Sequence, residues 1–114
     1  MTLKEKLKKG PVFGITCYTG MASVVECIGR WGYDFVYLDL EHSTIDGLCN
    51  IERLILAAKH AGVSPLVRVS GVHDSEIRQV LEMGAEGVVV PHCRCKEDVE
   101  KIIFNAKFPP MGRR

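Results

Sequence analysis

Short apolar runs alternate along the chain with longer segments whose apolar residues repeat every three or four positions. The short runs are rich in β-branched and aromatic residues, which favour strands, and they lie at residues 12–18, 34–40, 64–70 and 87–92. The segments that follow them have helical periodicity and lie at residues 20–32, 46–62, 74–84 and 96–108. The pattern therefore predicts four β-strands that alternate with four helices.

The junctions from helix to strand share one sequence pattern. "GYDFVYL", "GVSPLVRV" and "GAEGVVV" each combine a glycine that ends a helix, a short turn and an apolar run. Strands that are apolar on both faces and alternate with helices predict a parallel sheet covered by helices, which is an α/β fold. Four such units make either a small open sheet or half of an eight-stranded (β/α)8 barrel. With no linker in the chain, we expect a single domain over residues 1–114.

Composition is that of an ordinary soluble globular protein, with 46% apolar residues, 25% charged residues and a net charge of +1. A net charge so close to zero argues against nucleic acid or a membrane surface as the main partner. No run approaches the roughly 18 apolar residues that would span a bilayer. The basic start, "MTLKEKLKKG", lacks a following apolar region, so it predicts a solvated helical turn and not a signal peptide.

Cysteines are few and odd in number. The five are Cys17, Cys27, Cys49, Cys93 and Cys95. Neither their number nor the chain length fits a disulfide scaffold, which predicts a reducing cytoplasm. The "HCRC" stretch at 92–95 invites a zinc interpretation, but no second ligand pair has zinc-finger spacing. We therefore expect small thiols that are buried or half-buried.

Polar residues collect where the predicted strands end. Asp39, Glu41 and His42 stand at the end of the second strand, Arg68 near the end of the third and His92 at the end of the fourth. In parallel α/β folds the ligand site lies at the carboxyl ends of the strands. The sequence thus predicts a functional site at this edge.

Arg68 stands between two valines in a predicted strand. A guanidinium cannot lose its charge at physiological pH, so it needs an anion. One interpretation is an ion pair with Glu41 or Asp39 on the neighbouring strand. The other is a fork that binds a substrate carboxylate or a developing enolate oxygen.

His42 can act as a general base near neutral pH if a neighbour orients it, or it can be a loop residue that caps the next helix. Asp39 and Glu41 are two residues apart, so on a strand they point to the same face. They could hold a metal-bound water or only neutralise the nearby arginine. His60 and His73, at a helix end and in a loop, are expected to have no functional role.

Three stretches together resemble one family. "DFVYLDLEHSTID", "LVRVSGVHDSEIRQVLEMGAEGVVVPH" and "FPPMGRR" look like the HpcH/HpaI aldolase/citrate lyase family, in its class II pyruvate-aldolase branch. The resemblance runs over nearly the whole chain, in order and in register. It implies a (β/α)8 barrel of about 250 residues. The chain would then be the N-terminal half-barrel, cut before the fifth strand.

The resemblance also implies an activity and a site. Members cleave 4-hydroxy-2-oxo acids to pyruvate and an aldehyde with a divalent metal, commonly Mg²⁺, Mn²⁺ or Co²⁺. It makes His42 the base and Arg68 the group that stabilises the enolate, while Glu82 in "VLEMGA" stands where the family has an acidic residue that supports the histidine. Glutamate is one methylene longer than the family's aspartate. The family's metal ligands come from later strands, and no part of this chain matches them.

Two functions follow from these expectations. The first is a metal-dependent carbon–carbon lyase acting on a small 2-oxo acid. The second is a non-catalytic half-barrel that acts only by assembling with itself or with a partner chain. Four strands cannot close the barrel, and their free edges invite pairing with another chain, so we expect a homo-oligomer.

Overall fold

The computed structural model describes residues 1–72 and 74–114, so His73 lies outside the described residues. Its elements, in chain order, are α1 (Leu3–Lys9), β1 (Gly14–Cys17), α2 (Ala22–Arg30), β2 (Phe35–Asp39), α3 (Gly47–His60), β3 (Ser64–Arg68), α4 (Asp74–Glu82), β4 (Gly87–Val89) and α5 (Lys96–Ala106). The four predicted strands and four predicted helices are confirmed. The strands are shorter than the apolar runs, because apolar residues continue past the last ladder hydrogen bond.

All four strands form one parallel sheet in the order β1-β2-β3-β4. The predicted α/β fold is therefore confirmed. The unbroken order also decides between the two architectures that the pattern left open. A doubly wound sheet reverses its strand order at a switch point, whereas a (β/α)8 barrel adds each strand beside the last. The sheet has the order of a half-barrel.

The core lies between the sheet and α2, α3 and α4. Alternate residues of the strands point to this side, and the buried ones include Val36, Leu38 and Val67, followed by Val69 just past β3. The helices meet them with apolar residues at three- and four-residue spacing, among them Val25, Ile28, Ile51, Leu54, Ile55, Ile77 and Val80. Burying one such side chain stabilises the fold by about 1.5–3 kcal/mol. No helix among the described residues is long and apolar enough to cross a membrane.

The N-terminal segment is more ordered than the predicted solvated turn. Thr2 caps α1 through a capping box, and Leu3 is buried. Lys6 forms an ion pair with Asp34 at 3.0 Å, just before β2 begins. The basic composition of this segment did not predict that α1 is held against the rest of the chain, because one buried apolar residue and one ion pair make the contact.

The expectation for the cysteines was wrong at four positions. Cys17 is buried, whereas Cys27, Cys49, Cys93 and Cys95 are exposed free thiols. Cys27 and Cys49 lie on helix faces turned away from the core, and the other two follow β4 in a loop and at a helix N-cap. At these four positions the general tendency of free cysteines to be buried does not hold.

Gly29 allows α2 to approach the end of α3. A Cβ at this position would lie 2.5 Å from the Cβ of Ala61 and 2.7 Å from its carbonyl oxygen. We expect Gly29→Ala to lower the free energy of unfolding by about 1–3 kcal/mol, because backbone must move to relieve the overlap. Urea denaturation measures this. Ser23→Ala, at an exposed position of the same helix, is the control and should be neutral or slightly stabilising. Equal stability of the two variants would contradict the close approach.

Candidate active site

The predicted site residues meet at the carboxyl edge of the sheet, with one exception. Asp39 and Arg68 end β2 and β3 and are partners in register. Glu41 and His42 follow Asp39 directly, and His92 lies three residues beyond β4. Arg68 and His42 thus lie at the same edge of the sheet, and their roles in a shared cleft stay predictions.

Arg68 forms a two-point ion pair with Asp39. Its Nε donates to Oδ1 at 3.0 Å and its Nη2 donates to Oδ2 at 2.6 Å. Asp39 is completely buried, whereas the Arg68 side chain keeps 24% of its surface exposed. The guanidinium also stands 5.7 Å from the centre of the Tyr37 ring. Of the two acidic partners proposed for Arg68, the structure shows Asp39 as the partner. Glu41 contacts two histidines instead.

This pair changes the ionisation of both partners. Hydrogen bonds from Arg68 lower the pKa of Asp39 to about 2, although burial alone would raise it. Asp39 in turn raises the pKa of the guanidinium. Within the described residues, hydrogen bonds use two of the five N–H groups of Arg68. The remaining donors and the exposed edge leave room for a second anion.

Asp39 also organises the loop that carries the other site residues. Its Oδ1 accepts a hydrogen bond from the backbone N–H of Glu41 at 2.8 Å. Its carbonyl oxygen accepts one from the hydroxyl of Ser43, and that hydroxyl accepts one from the backbone N–H of Ile45 at 3.0 Å. The buried ion pair therefore fixes the start of the loop that presents His42.

Glu41 contacts two histidines. Its Oε1 lies 2.7 Å from Nε2 of His42 and 3.3 Å from Nε2 of His92. Only 11% of the Glu41 side chain is exposed, against 69% for His42 and 63% for His92. A proton on Nε2 of His42 would face this carboxylate and would leave Nδ1 available to accept a proton. The sequence placed Glu41 and His92 at this edge but did not show that they touch.

Glu82 is not brought to this site. It is the last residue of α4 and is exposed. A helix that follows a strand of a parallel sheet returns the chain to the edge where the next strand begins, so Glu82 lies at the opposite edge from His42. Within this chain the carboxylate that contacts His42 is that of Glu41, and the support of His42 by Glu82 stays an untested prediction.

A divalent metal finds too few ligands in this part of the chain. Among residues 1–72 and 74–114, no group of three or more His, Cys, Asp or Glu side chains could hold a metal ion. The Oε2 atom of Glu41 is buried without a hydrogen-bond partner, and a carboxylate oxygen is a ligand type that Mg²⁺ and Mn²⁺ accept. One such oxygen does not make a metal centre. The described residues therefore cannot bind a divalent metal without further ligands.

The lowered pKa of Asp39 predicts an acid-sensitive step in stability. Its ordinary value is 3.8 and its value in the fold is about 2. The ion pair therefore stabilises the fold at pH values above about 4, and this contribution, about 2 kcal/mol, disappears as the pH falls from about 4 to about 2. Urea titrations of the wild type and Asp39→Asn measure it. We expect the difference between their unfolding free energies to shrink across this window, and a constant difference would contradict the assignment.

Comparisons with known proteins agree with this geometry. The sequence profile of the HpcH/HpaI aldolase/citrate lyase family matches residues 18–114. The hydroxypyruvate/pyruvate aldolase of Roseobacter denitrificans is 30% identical over 114 residues, which cover 99% of this chain and 44% of that protein. The 4-hydroxy-4-methyl-2-oxoglutarate aldolase tasA of Hapsidospora irregularis is 36% identical over 94 residues, which cover 80% of this chain and 34% of that protein.

A solved structure extends the likeness to the fold. The crystal structure of citrate synthase SbnG matches with a TM-score of 0.92 and 39% identity, over 99% of this chain and 46% of that one. The chain thus spans less than half the length of these relatives. Because the family profile covers most of the chain, and the parallel half-barrel and its edge residues agree with it, the chain belongs to the HpcH/HpaI aldolase/citrate lyase family.

Proposed function

We propose that this chain supplies the first half of the active site of a carbon–carbon lyase that cleaves 4-hydroxy-2-oxo acids to pyruvate and an aldehyde. The observation that carries the proposal is the meeting of Arg68, with unused N–H donors, and His42, held by Glu41, at one edge of a parallel sheet. The names of two relatives, hydroxypyruvate/pyruvate aldolase and 4-hydroxy-4-methyl-2-oxoglutarate aldolase, support this class of substrate.

The two side chains supply what aldol cleavage needs. Nδ1 of His42 takes the proton of the 4-hydroxyl, and the bond between C3 and C4 breaks to release the aldehyde. The bonding electrons pass into an enolate, whose negative charge lies on the former 2-oxo oxygen. Free N–H groups of Arg68 stabilise that charge as it forms. Return of the proton from His42 to C3 gives pyruvate and restores the base.

The proposal includes a divalent metal, Mg²⁺, Mn²⁺ or Co²⁺, because of the family resemblance. Its ligands would come from outside the residues of this chain. The domain assignment, a single half-barrel over residues 1–114 that precedes a fifth strand, is likewise part of the proposal. It is supported by the share of each relative that the chain covers, 44% and 34%.

Pyruvate release from the full-length protein tests the proposed activity. We expect turnover of 4-hydroxy-2-oxo acids when Mn²⁺, Mg²⁺ or Co²⁺ is added, measured by coupling pyruvate to a dehydrogenase. The 114-residue chain alone should give no turnover, because residues 1–72 and 74–114 include no set of metal ligands. A well-folded full-length protein that is inactive with every metal and with substrates of several chain lengths would favour the non-catalytic half-barrel instead.

Citrate synthesis is a second candidate, because SbnG, which is 39% identical to this chain, is a citrate synthase. That condensation also passes through an enolate-like carbon nucleophile, so Arg68 and His42 would keep their roles in the direction of bond formation. Release of free coenzyme A from acetyl-coenzyme A and oxaloacetate distinguishes this activity from pyruvate-forming cleavage. The two assays can be run on the same preparation.

Assembly and location complete the proposal. β1 and β4 each lie at an edge of the sheet, which supports a homo-oligomer of the 114-residue chain by itself, in which another copy covers these edges. In the full-length protein, later strands of the barrel would cover them. Sedimentation velocity at micromolar concentration tests this homo-oligomer, and a well-folded 12.7 kDa monomer of this chain would refute it.

All five cysteines are free thiols, which supports a cytoplasmic location. The net charge of +1 supports small molecules, and not nucleic acid or membranes, as partners.

A further inference from the structure

His92 has a backbone conformation that few residues adopt. Its φ is 59°, and it is the one non-glycine residue with positive φ among the described residues. Such a conformation is uncommon outside glycine, and it persists where the surrounding structure constrains it. Here it accompanies a specific contact, since the imidazole Nε2 of His92 lies 3.3 Å from Oε1 of Glu41.

Glu41 needs that contact. Its side chain is 11% exposed, and one of its carboxylate oxygens, Oε2, is buried without a hydrogen-bond partner. An ionised carboxylate that has lost water must be compensated by donors. Among the described residues, its ion-pair contacts are the imidazoles of His42 and His92, and both reach the same oxygen, Oε1. Loss of either histidine would leave the carboxylate with a single ion-pair contact among the described residues.

We propose that His92 is a positioning residue for the base His42. The two imidazoles hold the Glu41 carboxylate between them, and the fixed carboxylate keeps His42 with Nε2–H donated and Nδ1 free to accept a proton. His92 thus acts through Glu41 and not on the substrate. The kinetic consequence of this inference rests on the proposed lyase function, whereas its geometric part rests on the contacts alone.

Two substitutions separate the backbone of His92 from its side-chain contact. Asparagine tolerates positive φ well, but its amide ends about one bond length short of the place of Nε2, so His92→Asn keeps the turn and loses the contact. Glutamine is longer, and its amide nitrogen can take the place of Nε2 as a donor to Glu41. His92→Gln is therefore the matched variant that restores a donor near Glu41 without an imidazole.

Kinetics of the full-length protein give the first readout. We expect His92→Asn to lower kcat about tenfold or more, less than the loss of the base itself, with little change in KM or melting temperature. His92→Gln should recover most of that loss. Wild-type kcat in His92→Asn would overturn the proposal, and so would a His92→Gln variant that is as slow as His92→Asn although equally well folded.

NMR gives a second readout that needs no substrate. Long-range ¹H–¹⁵N spectra at alkaline pH report which ring nitrogen of His42 carries the proton. We expect the Nε2–H form in the wild type, a smaller share of it in His92→Asn and its return in His92→Gln. An unchanged share in His92→Asn would overturn the proposal. A wild type with this signature but without lyase turnover would refute the proposed function and leave the positioning role standing.

Discussion

Arg68→Ala is expected to reduce both the stability of the fold and the turnover of the folded protein. The substitution leaves the carboxylate of Asp39 completely buried without its partner. Breaking a buried ion pair in this way costs about 3–5 kcal/mol, and the partial exposure of Arg68 favours the lower end of that range. If Arg68 also stabilises the enolate, turnover per folded molecule falls by a further factor of about 10²–10³.

Two matched variants separate the structural loss from the catalytic loss. Arg68→Lys keeps a positive charge near Asp39, so it should regain part of the stability, but it lacks the planar fork and should regain little turnover. The double variant Asp39→Leu with Arg68→Met replaces the pair with apolar groups of similar size, which often restores stability. We expect it to recover part of the stability that Arg68→Ala loses, since the backbone N–H of Glu41 still lacks its acceptor on Asp39, and to remain inactive.

Thermal melts and steady-state kinetics, with rates expressed per folded molecule, provide the measurement. Wild-type turnover per folded molecule in Arg68→Ala would show that the arginine serves the ion pair alone. The mechanism proposed above would then lose its anion-stabilising group.

The sequence predicted that the site lies at the carboxyl edge of the sheet. It did not predict which acidic residue pairs with Arg68 there. Strands, helices and the direction of the sheet follow from residue periodicity and from the glycine junctions, since these are local properties. The choice between Asp39 and Glu41 as the partner of Arg68 depends on the register of β2 against β3. A shift of two residues exchanges the two carboxylates while both remain on the same face, and nothing local in the sequence selects one register.

Glu82 and His92 show two different limits of predicting a site from the sequence. The resemblance matched Glu82 to an acidic residue of a motif, but βα geometry already puts the last residue of a helix at the edge away from the strand ends. That signal was present in the sequence. The role of His92 was not visible, because it depends on a positive φ and on a contact with a residue of another strand's loop.

His42→Ala should give the largest loss of turnover with the smallest loss of stability. The side chain is 69% exposed, so its removal opens no cavity, and we expect a melting temperature close to that of the wild type. Removal of a general base lowers kcat by a factor of about 10²–10⁴. This pattern differs from that of Arg68→Ala, in which stability and turnover fall together.

Companion variants connect His42 to its orienting group. Glu41→Gln keeps the size of the side chain but removes the charge that receives Nε2–H, so it should lose part of the turnover that His42→Ala loses. His60→Ala is the control, because His60 is an exposed histidine at the end of α3, away from the carboxyl edge, and it should match the wild type. A His42→Ala variant that keeps turnover within about threefold of the His60→Ala control would exclude His42 as the base. Because the range expected for a general base begins at about a hundredfold, the two outcomes do not overlap, and the proton of the 4-hydroxyl would then need another acceptor.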